Sequence, residues 1–182
     1  MRPITLRQSA LGASVIIPLP WGVFGSGAIL RAQFLNNPVT ALTYNVEHTF
    51  DDVYAVIPAT YTRAGTVLTV ELPNHGLATN DHVDLIVTEP NNFRNSADLP
   101  IVQSSFLPTV VDANSFTVPV LNQGPVAGNI GITPLRMVVD STLVAQIASA
   151  QGAYTFTPRG TRIRVTAYTS GGVDFTITDT AL

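Results

Sequence analysis

Leu42-Thr43-Tyr44-Asn45-Val46-Glu47-His48-Thr49-Phe50 alternates along its whole length. In an extended chain Leu42, Tyr44, Val46, His48 and Phe50 fall on one face, and Thr43, Asn45, Glu47 and Thr49 on the other. A period of two with one apolar face is the signature of a half-buried antiparallel strand. The pattern returns near the C-terminus, where Ile163, Val165 and Ala167 alternate with Arg162, Arg164 and Thr166. Beyond Ser170-Gly171-Gly172, Val173, Phe175 and Ile177 alternate with Asp174, Thr176 and Thr178, which predicts a closing hairpin. Further strands are expected around Ser14–Leu19, Ile29–Phe34, Val67–Leu72, Val83–Val87, Thr109–Val111 and Phe116–Val120, separated by Gly- and Pro-containing turns. Asp140 to Ala148 reads two ways: a short helix capped by Asp140 with Leu143, Val144 and Ile147 on one face, or a strand through Leu143, Ala145 and Ile147. The expected fold is all-β, an antiparallel sandwich or jelly-roll-like outer domain with a small inserted β module.

The insertion is suggested by a change of style along the chain. Residues 1–62 and 136–182 share strands rich in Thr and Arg. Residues 63–135 begin at Ala64-Gly65-Thr66 and end in the loop Asn122-Gln123-Gly124-Pro125-Val126-Ala127-Gly128. Turn residues at both ends are what an inserted module requires.

Composition narrows the function. Only 12% of the 182 residues are charged, against about 25% in an ordinary soluble domain, so part of the surface is expected to be covered by other subunits. All nine basic residues are Arg, the cation favoured at interfaces. A formal net charge of −3 disfavours nucleic acid as a partner, since that binding needs a basic stripe. There is no Cys, no apolar run of membrane-spanning length and no export signal, so a soluble protein made in the cytoplasm is expected, with no membrane partner.

Three stretches resemble catalytic or ligand-binding arrangements. Glu47-His48 followed by Asp51-Asp52 has acid/base chemistry, but strand neighbours point to opposite faces and paired acids at a strand end favour a turn. His75, Asp81, His82 and Asp84 lie within ten residues, yet lack a third imidazole, and read better as two turns with Asn80 left-handed. Trp21-Gly22-Val23-Phe24-Gly25-Ser26-Gly27-Ala28 is Gly-rich but leads into a strand, and a phosphate loop needs a Lys that the chain lacks. No catalytic residue, metal site or cofactor is predicted, and the chain is not expected to be an enzyme. Residues assigned to contacts are Val15, Ile16, Ile17, Leu19, Trp21 and Phe24, because Val15-Ile16-Ile17 runs into Pro18-Leu19-Pro20 and proline confines such a strand to an edge.

Two groups of motifs carry a family resemblance. The Pro3-Ile4-Thr5 opening, Pro18-Leu19-Pro20, Tyr44-Asn45-Val46-Glu47-His48-Thr49-Phe50-Asp51-Asp52, Gly152-Ala153-Tyr154-Thr155-Phe156 and Thr161-Arg162-Ile163-Arg164-Val165-Thr166 resemble small virion proteins of tailed bacteriophages. Between them, Val67-Leu68-Thr69-Val70, His75-Gly76-Leu77, Asp81-His82-Val83 and Val111-Asp112-Ala113-Asn114-Ser115-Phe116-Thr117-Val118 resemble a β module of phage tail and structural proteins, with Asn80 where that module usually carries Gly. The resemblance implies a particle component: a head-decoration (cement) subunit, or a neck or tail accessory. It implies major capsid or neck/tail proteins as partners, a cyclic homo-oligomer such as a trimer, and location in the virion. A receptor- or carbohydrate-binding module is the rival, with Trp21, Tyr54 and Tyr61 as its stacking surface.

Overall fold

The computed structural model describes residues 4–19, 28–35, 40–79, 81–87, 101–121, 125–154 and 158–179. Along the chain run β1 (Ile4–Gln8), β2 (Gly12–Ala13), β3 (Ile17–Pro18), β4 (Ala28–Phe34) and β5 (Ala41–Thr49). Then follow β6 (Ile57–Ala64), β7 (Val67–Glu71), β8 (His82–Val87), β9 (Ile101–Phe106), β10 (Thr109–Val110), β11 (Ser115–Pro119) and β12 (Ala127–Leu135). The last are β13 (Val138–Val139), β14 (Ala150–Tyr154), β15 (Gly160–Ser170) and β16 (Val173–Asp179). No helix occurs among the described residues, and the protein is all-β.

Two compact units result: Met1–Phe50 with Met137–Leu182, and Asp51–Arg136 between them. The insertion therefore starts earlier than the composition break at residue 63. The reason is β6, whose partners β7 and β12 both belong to the inserted unit.

The outer unit is a two-sheet sandwich. One sheet has the order β1-β16-β4-β14; the other runs β13-β5-β15-β2, with β3 also on β15. Leu30, Phe175 and Ile177 from the first sheet meet Tyr44, Val46, Ile163 and Val165 from the second in one core. The expected hairpin of β15 and β16 is not formed: β15 pairs with β5, and β16 pairs with β1 and β4. Both strands turn an apolar face to the same core, so the chain crosses between layers at Gly171, whose φ of +83° suits glycine. A side chain there would also collide with Thr40.

The inserted unit is a single seven-stranded antiparallel sheet, β10-β11-β7-β6-β12-β8-β9. Tyr61, Val70 and Phe116 align across three strands in its core, beside Leu85 and Ile132. One sheet can bury its own face only by curling, and the core of this unit is drawn from strands of that one sheet. The unit is fastened at its two ends. Asp51 accepts from the Arg136 backbone N–H at 2.7 Å and from its guanidinium at 3.0 and 2.5 Å. In the sandwich, Val138 pairs directly with His48, so the strands that flank the insertion are neighbours. Replacing 51–136 with a short Gly-Ser link is expected to leave the outer unit folded, since the loop closed is short. Retention of a cooperative thermal transition by circular dichroism checks this; aggregation of the shortened chain would refute it.

Candidate functional site

His48 is the one polar side chain among Leu42, Tyr44, Val46 and His48 on the apolar face of β5. It is buried, so its ring nitrogens need partners from within the fold. Nε2 lies 3.0 Å from Asp140 Oδ2, and Nδ1 lies 3.1 Å from the Thr161 hydroxyl on β15. Asp140 follows β13 at the sandwich edge. Its Oδ1 accepts from the Thr142 N–H and hydroxyl, both at 2.7 Å, and from the Leu143 N–H at 3.3 Å. Its Oδ2 also accepts from the Tyr154 hydroxyl on β14. The Tyr154 ring stands edge-on to His48, with centroids 5.5 Å apart. One carboxylate thus joins the two sheets of the sandwich.

The same bonds explain the residue 140–148 segment. Asp140 does cap, but it caps an irregular turn and not a helix. Leu143 is drawn into the core, Val46 N–H donates to Leu143 O, and Tyr44 pairs with Gln146 in a lone bridge. Ala145 takes a φ of +50° to allow this.

Electrostatics follow from burial and bonding. Burial alone would raise the Asp140 pKa, but the bonds from Tyr154, Thr142 and His48 prevail and hold it down to about 2. Burial pushes the Tyr154 phenol well up, and its bond to Asp140 adds to the shift. Burial lowers the His48 pKa against the opposing pull of Asp140. His48 is therefore neutral in the folded protein near pH 7, with Nε2–H donating to Asp140. The single Thr161 proton has two acceptors in reach, His48 Nδ1 and the Glu47 carbonyl, each at 3.1 Å.

A pH dependence with a definite sign results. An unfolded His takes up its proton near pH 6.5 while folded His48 does so only at lower pH, so stability falls as pH drops below about 6.5. Asp140 adds a second loss from about pH 3.8 down to about 2, where its folded carboxylate is finally protonated. Urea unfolding from pH 8 to 3 is expected to show both declines, and His48→Gln to remove the first. An unchanged profile in that variant would refute the assignment.

Tyr154 owes its position to a glycine two residues back on the same strand. A Cβ at Gly152 would collide with the Tyr154 hydroxyl, so the phenol lies across the bare backbone. Gly152→Ala is expected to displace Tyr154 from Asp140 and to cost about 1–3 kcal/mol in denaturant unfolding. A variant as stable as the parent would show that the ring has another resting place.

Around this cluster opens a cleft of about 560 Å³, lined by Phe50, Val138 and Val139 on one side and by Gln151, Gly152 and Ala153 on the other. It lies between two edge strands, β13 of one sheet and β14 of the other. Thr161, His48 and Asp140 have the connectivity of a nucleophile–base–acid triad. Thr161, however, has no accessible surface, so a substrate cannot reach its hydroxyl. As a cluster it holds sheets together.

The other sequence-assigned residues fall elsewhere. Glu47 points away from His48, into an ion pair with Arg162 at 2.6 Å and Arg164 at 3.5 Å. Asp51 holds Arg136, and Asp52 Oδ1 accepts from the Tyr54 N–H in a turn. His75 accepts from the Leu77 N–H at Nδ1 and bonds Asp112 O through Nε2, while His82 pairs with Asp84 at 2.8 Å. These are turn and strand contacts, and no group of three or more His, Asp or Glu among the described residues is placed to hold a metal. The left-handed residue of that region is Asn74, at φ +54°; Asn80 lies outside the described residues. Of the contact residues, Ile17 and Leu19 are buried in the sandwich core of their own chain, because β3 lies on β15. Val15 is exposed, Ile16 is half-buried, and Trp21 and Phe24 lie outside the described residues. Tyr61 is in the core of the inserted unit, so it offers no stacking face beside the exposed Tyr54.

Comparison with known proteins adds no relative. No family model, curated protein or solved structure matches the chain.

Proposed function

We propose that the chain is a structural component of a tailed-bacteriophage particle, a decoration or cement subunit acting through protein–protein contacts. The observation that carries this reading is the pairing of β5 with β15. Tyr44–Thr49 and Thr161–Val165, two stretches on which the phage resemblance rests, lie far apart in sequence but in adjacent register, with Arg162 opposite Glu47. The motifs thus belong to one sandwich, and the second resembling segment is a separate unit inserted into it. Scarce charge and the burial of Thr161 and His48 support a role in assembly.

Imaging of purified particles with this chain labelled tests the proposal. Label at symmetry-related positions on the head is the expected result. Label at the neck or tail would move the subunit within the particle, and absence from purified particles would refute the reading.

A further inference from the structure

The cleft beside the His48 cluster has one apolar wall and one polar wall. On the first, Phe50 is 53% exposed, with Val138 and Val139 exposed next to it. On the second stand Ser141 and Thr142, at the turn after β13, and Gln151 of β14, all exposed. Gly152 leaves bare backbone beside Gln151, so no side chain closes the space in front of Tyr154.

Of the described residues that line the cleft, Asp140 alone is charged near pH 7. Its carboxylate accepts from five donors: the Thr142 N–H and hydroxyl, the Leu143 N–H, His48 Nε2–H and the Tyr154 hydroxyl. A carboxylate offers about four lone-pair sites, so none is left for a ligand. A cation entering the cleft would lose water without gaining a direct carboxylate contact, which is unfavourable. An anion would meet a fixed negative charge and no Arg to offset it.

The hydroxyls at the floor have a fixed direction as well. Thr142 and Tyr154 send their protons to Asp140, so toward anything else their oxygens can only accept. A fitting ligand is therefore uncharged, brings hydrogen-bond donors to the floor, and covers the Phe50 ring with an apolar face. A pyranose meets all three conditions. Its hydroxyls donate, and one side of its ring is a patch of C–H groups whose burial on an aromatic face is favourable. Ser141 and Gln151 can both donate and accept, which suits neighbouring sugar hydroxyls. The volume of about 560 Å³ falls within the roughly 300–1,000 Å³ of small-molecule sites.

We infer that this cleft is a binding site for a neutral saccharide, stacked on Phe50 and hydrogen-bonded by Gln151, Ser141 and Thr142. The inference goes beyond a structural role in a particle and does not depend on it, because it concerns the chemistry of one cleft and not the position of the subunit.

Titration of the full chain with lactose, maltose, cellobiose and N,N′-diacetylchitobiose, followed by nuclear magnetic resonance of the backbone amides, tests it. At least one of these disaccharides should shift the Ser141, Thr142, Gln151 and Ala153 amides saturably. Phe50→Ala and Gln151→Ala should each weaken that binding about tenfold, the loss of one good contact, while Tyr54→Ala on the inserted unit changes nothing. Phe50 and Gln151 are exposed, so folding should be kept; circular dichroism verifies this, and Phe50→Leu stands in if Phe50→Ala fails to fold. No shift at these amides with any of the disaccharides, or binding indifferent to both substitutions, would overturn the site. Sialyllactose binding more tightly than lactose would overturn it too, since Asp140 should repel the added carboxylate. N-acetylarginine amide shifting these amides where no saccharide does would show a cation site in its place.

Discussion

Replacing Arg162 with methionine is expected to lower stability by about 3–5 kcal/mol, the cost of stripping a buried charge of its principal partner. Arg162 has no accessible surface, and Glu47 opposite it is 2% exposed. The guanidinium donates through Nε at 2.6 Å, whereas Arg164, partly exposed and paired at 3.5 Å, leaves Glu47 only its weaker partner. The double variant Glu47→Leu with Arg162→Met removes both charges, and it should recover most of the loss because desolvation no longer has to be offset. Urea unfolding of the two singles and the double gives the coupling directly. Additive losses would mean that the two residues are stabilised separately.

Asp140→Ala is expected to cost about 2–4 kcal/mol, because buried His48 and half-buried Tyr154 lose their shared acceptor at once. His48, Tyr154 and Thr142 lose the carboxylate as acceptor, Leu143 N–H keeps only the residue 140 carbonyl, and the turn that seats Leu143 in the core loses its organiser. Asp140→Asn keeps the shape but can accept at one oxygen only, so its loss should be smaller. His48 should become easier to monitor as well: without the carboxylate nothing opposes burial, and its titration by nuclear magnetic resonance should move further down. A variant that unfolds like the parent would remove the cluster from any account of sandwich stability.

The alternation of β5, β7 and β16 was legible because one face of each meets a core and the other meets solvent or a polar layer. The insertion was legible for a similar reason: turn residues mark where the chain changes partners. Its boundary was not, since Ile57–Ala64 carries the same Thr-rich alternation on either side of the break and only its ladder partners decide its membership. The hairpin expectation failed at Gly171-Gly172 because a turn between two alternating strands looks alike whether they pair or cross to opposite layers. Arg162 and Glu47 alternate as solvent residues do, and nothing local tells that this part of the outer face is covered. The site left one sequence signal, a histidine on the apolar face of β5, which demands a buried partner. Asp140 and Tyr154 could not be assigned to it from spacing, because they reach it across two sheets.

The pairing of Ile4 with Ile177 sets an order of events during synthesis. β1 emerges from the ribosome early but has no ladder partner until β16 has been made, and β5 likewise waits for β15. The inserted unit draws all its strands from one continuous stretch, so it can complete its sheet while the sandwich strands still wait. Non-local strand pairing is slow to form, and in the interval β5 stands with its apolar face uncovered. The folded insertion holds Phe50 and Met137 close together through Asp51 and Arg136. Closing the chain at that point shortens the loop between β5 and β15, and a shorter loop costs less entropy to close.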